Sequence, residues 1–281
     1  MELPVTASPK TPLPVFFLLA YLFAWGLWLV PLLGSHGIWP VPSGVQLVCL
    51  LVGSYAPFMA AFVVLLRDGG WPGLGRFALR ALRWRVAPGY LLAALLLVPA
   101  LGLAAAWIYA RFGGPALALT VPVGKIPLLF VMMLFVGGAV NEEFGWAYAI
   151  DGLQRGCRLR PAAIVLGVIW ACWHLPLFFI VGVTQSFLPF WAFLLFAVSL
   201  RVLFVWAYEG GGKSILATLL FHTTVNLTLN LFVLVDRSPA RNERGFIAFA
   251  LLALAVATVV ALVSKRYRSA AVLPIAYADE A

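Results

Sequence analysis

Eight apolar segments, each about 20 to 25 residues long, follow one another along the chain with short polar connections between them. An α-helix rises about 1.5 Å per residue, so each segment is long enough to cross the roughly 30 Å hydrocarbon core of a bilayer. The pattern therefore predicts eight transmembrane helices. They cover residues 15–34, 45–66, 89–110, 126–150, 161–182, 187–208, 214–235 and 245–264.

The longest connections, residues 67–88 and 111–125, are too short to form a separate soluble domain. We therefore expect an all-α, polytopic membrane protein with a single membrane domain at residues 15–264. A cytoplasmic tail at residues 1–14 precedes this domain, and a second tail at residues 265–281 follows it.

The composition agrees with this fold class, because 64% of the residues are hydrophobic and only 10% are charged. Soluble globular proteins carry about 25% charged residues. The formal net charge is +9, which in a soluble protein would suggest a nucleic-acid partner. Here most Lys and Arg residues lie in the connections between apolar segments, so we expect a lipid bilayer and no nucleic acid as the partner.

The basic residues are divided unequally between the two ends of the predicted bundle. Cytoplasmic connections of membrane proteins are enriched in Lys and Arg, so we expect the more basic end, with both termini, in the cytoplasm. The more basic end holds Lys10, Arg67, Arg76, Arg80, Arg83, Arg85, Arg155, Arg158, Arg160, Lys213, Lys265, Arg266 and Arg268. The opposite end holds Arg111, Lys125, Arg237, Arg241 and Arg244.

The connection at residues 67–88 mixes these arginines with large apolar side chains. It can form a short amphipathic segment that lies on the anionic cytoplasmic leaflet, or a solvated basic loop that only sets the topology. The apolar side chains are Trp71, Phe77, Leu79 and Leu82.

Two adjacent carboxylates, Glu142 and Glu143, lie near the end of the segment 126–150. A charged side chain at bilayer depth is disfavoured by about 2.5–3.5 kcal/mol and like charges repel, so this pair requires polar partners. Two other segments each carry one histidine, His174 and His222. Helical rise places Glu142 and His222 about 12 Å, and His174 about 20 Å, from the cytoplasmic ends of their helices. We therefore expect one shared cavity that opens toward the cytosol.

These side chains allow two kinds of hydrolytic chemistry. A glutamate and a histidine can activate a water molecule while other donors stabilise the oxyanion of a tetrahedral intermediate. Alternatively, Glu142, His174 and His222 can form a His2Glu set around Zn²⁺ that leaves one position for water. Asn226 follows His222 by one helical turn, so its amide can point into the same cavity and donate to the oxyanion.

Two tryptophans and one proline are placed to shape such a cavity. Trp170 precedes His174 by one helical turn, and Trp146 follows Glu142 by one turn, so both are candidates for the cavity wall or for substrate contact. Packing within the bundle is the alternative role for a tryptophan. Pro176 is expected to kink its helix just after His174 and to free backbone carbonyls there.

These residues resemble the motifs of the CAAX-protease and bacteriocin-processing (CPBP, or Abi) family of intramembrane proteases, which includes the type II CAAX prenyl endopeptidases. That family carries EExxxR on one helix, an aromatic residue four positions before a histidine on the next, and HxxxN or HxxxD on a later one. The resemblance covers roughly residues 126–230. The corresponding stretches are Glu142-Glu143-Phe144-Gly145-Trp146-Ala147, Trp170-Ala171-Cys172-Trp173-His174 and His222-Thr223-Thr224-Val225-Asn226.

The resemblance implies an eight-helix endopeptidase of the cell membrane that cuts prenylated CAAX-type or other membrane-associated peptides. By position, it implies that Glu142 and His174 activate the water and that Glu143 supports them. It further implies that His222 and Asn226 bind the oxyanion. Both a zinc-dependent and a metal-free glutamate mechanism are compatible with the resemblance.

One position departs from the family pattern, because Ala147 stands where the family has an arginine. Arg201, the only basic residue inside a predicted helix, lies near the depth of Glu142, and we interpret it as the replacement partner of Glu143. The alternative is an arginine that extends to the membrane interface.

Because this arginine is absent, the sequence is also compatible with an impaired enzyme. It is likewise compatible with a non-catalytic protein of the same fold that binds a lipidated peptide or protein. A cation or metal transporter has less support, because the sequence shows no inverted repeat.

Overall fold

The computed structural model describes residues 11–268, so most of both predicted tails lies outside the described part of the chain. Within residues 11–268 the regular elements are helical, as the apolar pattern predicts. The long helices are α1 (Leu13–Ser35), α2 (Ser43–Ser54), α3 (Ala56–Ala78), α4 (Pro88–Arg111), α5 (Ile126–Phe135), α6 (Ala139–Leu153), α7 (Leu159–Trp173), α8 (Phe190–Gly210), α9 (Ile215–Leu231) and α10 (Arg244–Val263).

Five helices are long and apolar enough to cross a membrane: α1, α4, α7 with its 3₁₀ extension, α8 and α10. Two bent pairs, α2 with α3 and α5 with α6, raise this number to seven if each pair is one span. The apolar helix α9 is shorter, with 17 residues. The predicted all-α polytopic membrane fold is confirmed, whereas the number of eight spans and the cytoplasmic position of both termini stay predictions.

Two of the predicted continuous helices are broken near their middle. The helices α2 and α3 meet at a bend of 48°, and α5 and α6 at a bend of 44°. Pro57 stands in the first turn of α3, where its missing N–H cannot continue the preceding helix. Gly138, between α5 and α6, has a φ of 122°, which side chains larger than that of glycine rarely tolerate. Glycine at position 138 therefore allows the second break without backbone strain.

Helix α7 ends at Trp173, well before the limit that the apolar pattern predicts. Pro176 lacks a backbone N–H, and the chain continues as 3₁₀ turns at Leu175–Phe179 and Thr184–Phe187. The α-helix thus ends one residue before His174, whereas the sequence predicted a kink just after it. His174 thus occupies the C-cap position of α7, where the chain leaves the helix.

Glycines allow the motif-bearing helices to approach their neighbours closely. A Cβ on Gly145 of α6 would lie 2.4 Å from the carbonyl oxygen of Pro57 in α3. A Cβ on Gly167 of α7 would lie 2.7 Å from the Cα of Val198 in α8. Small residues at such contacts let helices pack tightly inside a membrane. These contacts position α6 against α3 and α7 against α8.

A polar cluster around Asp151, near the end of α6, closes the more basic end of the bundle. The Asp151 carboxylate pairs with Arg80 at 2.5 Å and with Lys213 at 2.6 Å. The hydroxyl of Tyr208 donates a hydrogen bond to the same carboxylate at 3.1 Å. The cluster therefore ties the connection at residues 67–88 to α6 and to the turn between α8 and α9.

The connection at residues 67–88 is helical for most of its length, after a kink in α3 at Gly70, where φ is 59°. Trp71 and Leu82 are 74% and 70% exposed, whereas Phe77 is buried. Arg80 points inward to the polar cluster. The connection is thus a helical segment with an exposed apolar face, which favours the amphipathic alternative over a solvated loop.

Candidate active site

Glu142 and Glu143 lie in the first turns of α6 and point in different directions, because successive helical residues are about 100° apart. Their side chains are 4% and 1% exposed. Glu142 lines a cavity between the helices, and Glu143 faces α8 and α9. The two carboxylates therefore occupy separate hydrogen-bonding environments.

The Glu142 carboxylate has one oxygen held by the protein and one that faces the cavity. Its Oε2 accepts hydrogen bonds from the indole Nε1 of Trp170 at 2.5 Å and of Trp146 at 3.1 Å. Its Oε1 lies beside Gly138. Two donors on one oxygen hold the plane of the carboxylate and leave Oε1 to act on a substrate or a water molecule.

Glu143 forms a bidentate ion pair with Arg201 of α8. The Arg201 Nη1 donates to Oε2 at 2.9 Å, and Nη2 donates to Oε1 at 3.2 Å. The predicted pairing of these residues is confirmed. The alternative in which Arg201 extends to the membrane interface is wrong, because its side chain is only 2% exposed.

His222 is bound to Glu143 through one ring nitrogen and faces the cavity with the other. Its Nδ1 donates to Glu143 Oε1 at 2.8 Å, because an ionised carboxylate only accepts hydrogen bonds. The guanidinium of Arg201 forms an ion pair with the same carboxylate. In neutral His222 the proton therefore resides on Nδ1, and Nε2 carries a lone pair.

His174 is held by the helix that carries it. Its Nδ1 donates to the backbone carbonyl of Trp170 at 2.8 Å, which leaves Nε2 as an acceptor. The Trp170 ring lies in the cavity wall, with its centroid 5.4 Å from the His174 ring and 5.6 Å from the His222 ring. Trp170 thus contacts both histidines and Glu142.

Asn226 lies on α9, one turn after His222, and its Nδ2 donates to the carbonyl of Gly137. An ideal Cβ on Gly138 would lie 3.0 Å from Glu142 Oε1, 3.0 Å from His222 Nε2 and 3.2 Å from Asn226 Nδ2. Three polar atoms from two helices therefore surround a space that glycine leaves open. Any two of these atoms are therefore at most about 6 Å apart, so one substrate or water oxygen that lies between them can contact more than one of them.

Trp146 takes a different place from the one that its spacing predicts. It does not line the cavity, and its ring is 1% exposed. It packs edge to face against Trp173, with ring centroids 5.8 Å apart, and against Phe16, at 6.3 Å. Its indole N–H supports Glu142 from behind. Trp146 is therefore a packing residue that donates one hydrogen bond to the site, and not a cavity wall.

The cavity has a volume of about 210 Å³ and brings together Glu142, Trp170, His174, His222 and Asn226. One part of its wall is polar and consists of these residues. The rest is apolar and includes Trp28, Leu50, Leu188, Phe193 and Phe246. The arrangement can thus accept an apolar group next to a set of hydrogen-bonding atoms.

The cavity extends to the less basic end of the bundle. Thr184 and Gln185, between α7 and α8, line it, and Arg237 of the next connection at that end donates to Thr184 at 3.0 Å. The Asp151 cluster at the other end contributes no lining residue within residues 11–268. This differs from the predicted opening at the more basic end, because α7 stops at Trp173 and short turns border the cavity there. Which end is cytoplasmic stays a prediction.

A zinc ion requires ligand atoms at about 2.0–2.2 Å for oxygen and nitrogen. Among residues 11–268, no three His, Cys, Asp or Glu side chains are grouped closely enough to hold a metal ion. Glu142 also has one oxygen committed to two indoles. The residues of the predicted set, Glu142, His174 and His222, therefore do not fit a zinc site in this arrangement.

Two features of the site were not predicted from the sequence. One is Gly138, although the Gly137-Gly138 dipeptide inside an apolar segment is a typical signal of a break. The other is Ser54 of α2, which lines the cavity and accepts a hydrogen bond from Asn141 Nδ2 at 2.6 Å. A single serine in an apolar segment gives no indication in the sequence that its hydroxyl lines a cavity.

Comparison with known proteins agrees with this geometry. The chain is 26% identical to the CAAX prenyl protease 2 of Methanococcus maripaludis over 240 residues, which cover 79% of this chain and 85% of that protein. Residues 124–228 match the model of the type II CAAX prenyl endopeptidase Rce1-like family. This stretch contains α5 to α8, most of α9 and every residue of the three motifs. The chain is therefore similar to the Rce1-like type II CAAX prenyl endopeptidases over the part that carries the three motifs, as the motifs predicted.

Proposed function

We propose that this protein is an intramembrane endopeptidase that hydrolyses a peptide bond with a water molecule activated by Glu142 and His174. The observation that supports the proposal most is the convergence of Glu142 Oε1, His222 Nε2 and Asn226 Nδ2 on the space beside Gly138. His174 lines the same cavity. The similarity to the Rce1-like endopeptidases and this convergence are separate observations, and both favour peptide hydrolysis.

Glu142 and His174 are suited to hold the attacking water. Glu142 Oε1 and His174 Nε2 are both free acceptors, because the other polar atoms of these side chains are bound inside the protein. A water molecule that donates one hydrogen to each of them turns its lone pairs toward the substrate carbonyl. Glu142 accepts the proton as the water attacks, and then delivers it to the leaving amine.

Asn226 and His222 are suited to stabilise the negative oxygen of the tetrahedral intermediate. One N–H of the Asn226 amide is bound to Gly137, and the other remains for the oxyanion. His222 donates from Nε2 when its ring carries both protons, and the Glu143 carboxylate then compensates the charge of the ring. Glu143 thus orients His222 without contacting the substrate.

The replacement of the family arginine by Ala147 does not argue for a non-catalytic protein in this chain. Glu143 retains a cationic partner, because Arg201 reaches it from α8. The hydrogen-bonded arrangement of both glutamates and both histidines is complete in the same bundle. We therefore propose an active enzyme.

The proposed substrate is a membrane-associated peptide that carries an apolar group near the scissile bond. The apolar part of the cavity, with Trp28, Leu188 and Phe246, borders the polar site directly. A relative that this chain resembles is named a CAAX prenyl protease. We propose prenylated CAAX-type peptides as the first substrates to examine.

The proposal is tested with the wild type and Glu142→Gln, purified in detergent and given a farnesylated CAAX-type peptide and the same peptide without the prenyl group. Glu243→Gln, which changes an exposed carboxylate, is the control. Cleavage products are identified by mass spectrometry. We expect the wild type and Glu243→Gln to cleave the farnesylated peptide at similar rates. We expect Glu142→Gln to lose about 10²–10⁴-fold in kcat.

A folded Glu142→Gln variant that cleaves as fast as the wild type contradicts the proposed role of Glu142. Equal cleavage of both peptides contradicts the proposed preference for a prenyl group and leaves the endopeptidase function standing. A folded wild-type protein that binds the farnesylated peptide but cleaves neither peptide favours the non-catalytic alternative.

A further inference from the structure

Arg201 lies behind the candidate active site and contacts both of its halves without lining the cavity. We propose that Arg201 is a positioning residue, which holds His222 through Glu143 and holds Glu142 through the indole of Trp170. The inference rests on the proposed endopeptidase function. It goes beyond that function because it names the group that sets the geometry of the site.

The first half of the site is held through the Glu143 carboxylate. Arg201 binds both oxygens of this carboxylate, at 2.9 and 3.2 Å. A bidentate guanidinium fixes the plane of a carboxylate as well as its position. The Nδ1 of His222 donates to Glu143 Oε1 at 2.8 Å, so the plane of the carboxylate sets the direction of the histidine ring. The position of His222 Nε2 in the cavity therefore depends on Arg201.

The second half of the site is held through the indole of Trp170. The guanidinium carbon of Arg201 lies 4.3 Å from the centroid of this ring. Trp170 donates its Nε1–H to Glu142 at 2.5 Å and accepts the hydrogen bond of His174 with its carbonyl. A guanidinium over an aromatic face is an attractive contact that restricts the tilt of the ring. The orientation of Glu142 Oε1 therefore depends on the same cation.

These two contacts require the shape of arginine and not only its charge. A lysine ammonium is a point charge and can pair with Glu143. It has no planar group that could form two parallel hydrogen bonds with the carboxylate and also stack on the Trp170 ring. An apolar side chain would leave Glu143 as a buried carboxylate with His222 as the remaining partner, which is strongly unfavourable. Loss of charge and loss of shape are thus expected to have separable effects.

A substitution at position 147 allows the contact of Arg201 with Glu143 to be tested separately from its contact with Trp170. A small void of about 10 Å³ lies between Ala147, Glu143 and Arg201. Residue 147 follows Glu143 by one turn of α6, so a long cationic side chain there can reach Glu143 from its own helix. Ala147→Arg combined with Arg201→Ala therefore restores a cation at Glu143 but not the stacking on Trp170.

The test compares the wild type with Arg201→Met, Arg201→Lys, Arg201→Ala and the double variant Ala147→Arg/Arg201→Ala. Arg111→Met removes an exposed arginine at the end of α4 and is the control. All proteins are placed in nanodiscs, their thermal unfolding is recorded, and kcat and KM are measured on a peptide that the wild type cleaves. The split between kcat and KM separates a positioning role from a general loss of structure.

We expect Arg201→Met to lower kcat by about 10²–10⁴-fold with a change in KM of less than about threefold. Arg201→Lys should recover less than about a tenth of the wild-type kcat, because it restores charge without shape. The double variant should exceed Arg201→Ala by at least about tenfold in kcat, because it restores the partner of Glu143. Arg111→Met should match the wild type.

A folded Arg201→Met or Arg201→Lys variant with the kcat of the wild type overturns the inference. If Arg201→Met and Arg201→Ala do not fold, the inference is tested by Arg201→Lys and the double variant. Equal activity of Arg201→Lys and the wild type overturns the positioning role of Arg201. Partial activity of the double variant supports it. A wild type that cleaves no peptide overturns the proposed function as well. A wild type that cleaves, with every Arg201 variant equal to it, overturns only this inference.

Discussion

The indole N–H of Trp170 on α7 donates a hydrogen bond of 2.5 Å to Oε2 of Glu142 on α6. The backbone carbonyl of Trp170 accepts the hydrogen bond of His174 at 2.8 Å. One residue therefore orients two side chains that reach the cavity from different positions. Each bond satisfies a polar group in a bundle where an unsatisfied one is costly. The atoms that are left over, Glu142 Oε1 and His174 Nε2, are those available for chemistry.

Removal of the Trp170 N–H should weaken catalysis more than binding. In Trp170→Phe, Glu142 Oε2 retains only the longer hydrogen bond from Trp146, at 3.1 Å. A hydrogen bond to a charged group contributes about 1.5–3 kcal/mol, so we expect kcat to fall by about 10- to 100-fold. Steady-state cleavage of the farnesylated peptide measures the effect. Trp107→Phe, which changes a tryptophan that is 57% exposed on α4, should leave kcat unchanged. A Trp170→Phe kcat equal to that of the wild type contradicts the assigned role.

Gly138→Ala should abolish cleavage while leaving a folded protein. The added methyl would lie 3.0 Å from both Glu142 Oε1 and His222 Nε2, in the space that the reacting groups share. The positive φ of 122° adds backbone strain of about 1–3 kcal/mol. Gly113→Ala is a matched control, because Gly113 also has a positive φ but nothing lies within 4 Å of its Cβ position. We expect both variants to lose thermal stability and only Gly138→Ala to lose activity by about 10²-fold or more. Equal activity of the two variants would show that the space beside Gly138 is not used.

Asn226→Ala should lower kcat without a large change in KM. Loss of one oxyanion donor costs about 10²–10³-fold in kcat, since the donor acts mainly on the intermediate. Asn230→Ala, one turn later on α9, removes an exposed amide and is the control. The measurement is the dependence of initial rate on peptide concentration. An Asn226→Ala variant with raised KM and normal kcat would assign Asn226 to substrate binding instead.

Cleavage should be insensitive to removal of metal ions. The residues Glu142, His174 and His222 do not form a metal-binding group in the described part of the chain. We expect activity to persist after dialysis against EDTA and 1,10-phenanthroline, with zinc well below one ion per protein by mass spectrometry of the metal. Loss of activity that added Zn²⁺ restores would contradict this, and would mean that the three side chains approach each other more closely in the working enzyme.

The cavity and the Asp151 cluster should be reached from opposite sides of the membrane. Gln185 lines the cavity, and Ser238 lies in the connection at the same end, whereas Arg155 lies at the more basic end. In a variant without the three native cysteines, a membrane-impermeant thiol reagent should label Gln185→Cys and Ser238→Cys from one side and Arg155→Cys from the other. The distribution of basic residues predicts that Arg155→Cys is labelled from the cytoplasm. Labelling of Gln185→Cys and Arg155→Cys from the same side contradicts the direction of the cavity.

Helical spacing predicted which side chains reach the site when packing against neighbouring helices did not change their surroundings. His222 and Asn226 are one turn apart and reach the same cavity, as predicted. The same reasoning misplaced Trp146, which is one turn from Glu142 but packs against Trp173 and Phe16. Side chains on one helical face spread over a wide arc, and the neighbouring helix determines which of them reach the cavity.

The amino-acid sequence by itself determined the all-α membrane class, the approximate limits of most helices and the candidate residues of the site. These follow from local properties, because the cost of placing a residue in lipid depends on that residue and its segment. The tertiary structure decided which pairings of polar groups form, including that of Arg201 with Glu143, for which the sequence left an alternative open. Arg201 and Glu143 are 58 residues apart, and the bend at Gly138 and the early end of α7 set where the cavity lies. Such pairings depend on how each helix is rotated and broken against its neighbours, which no single segment encodes.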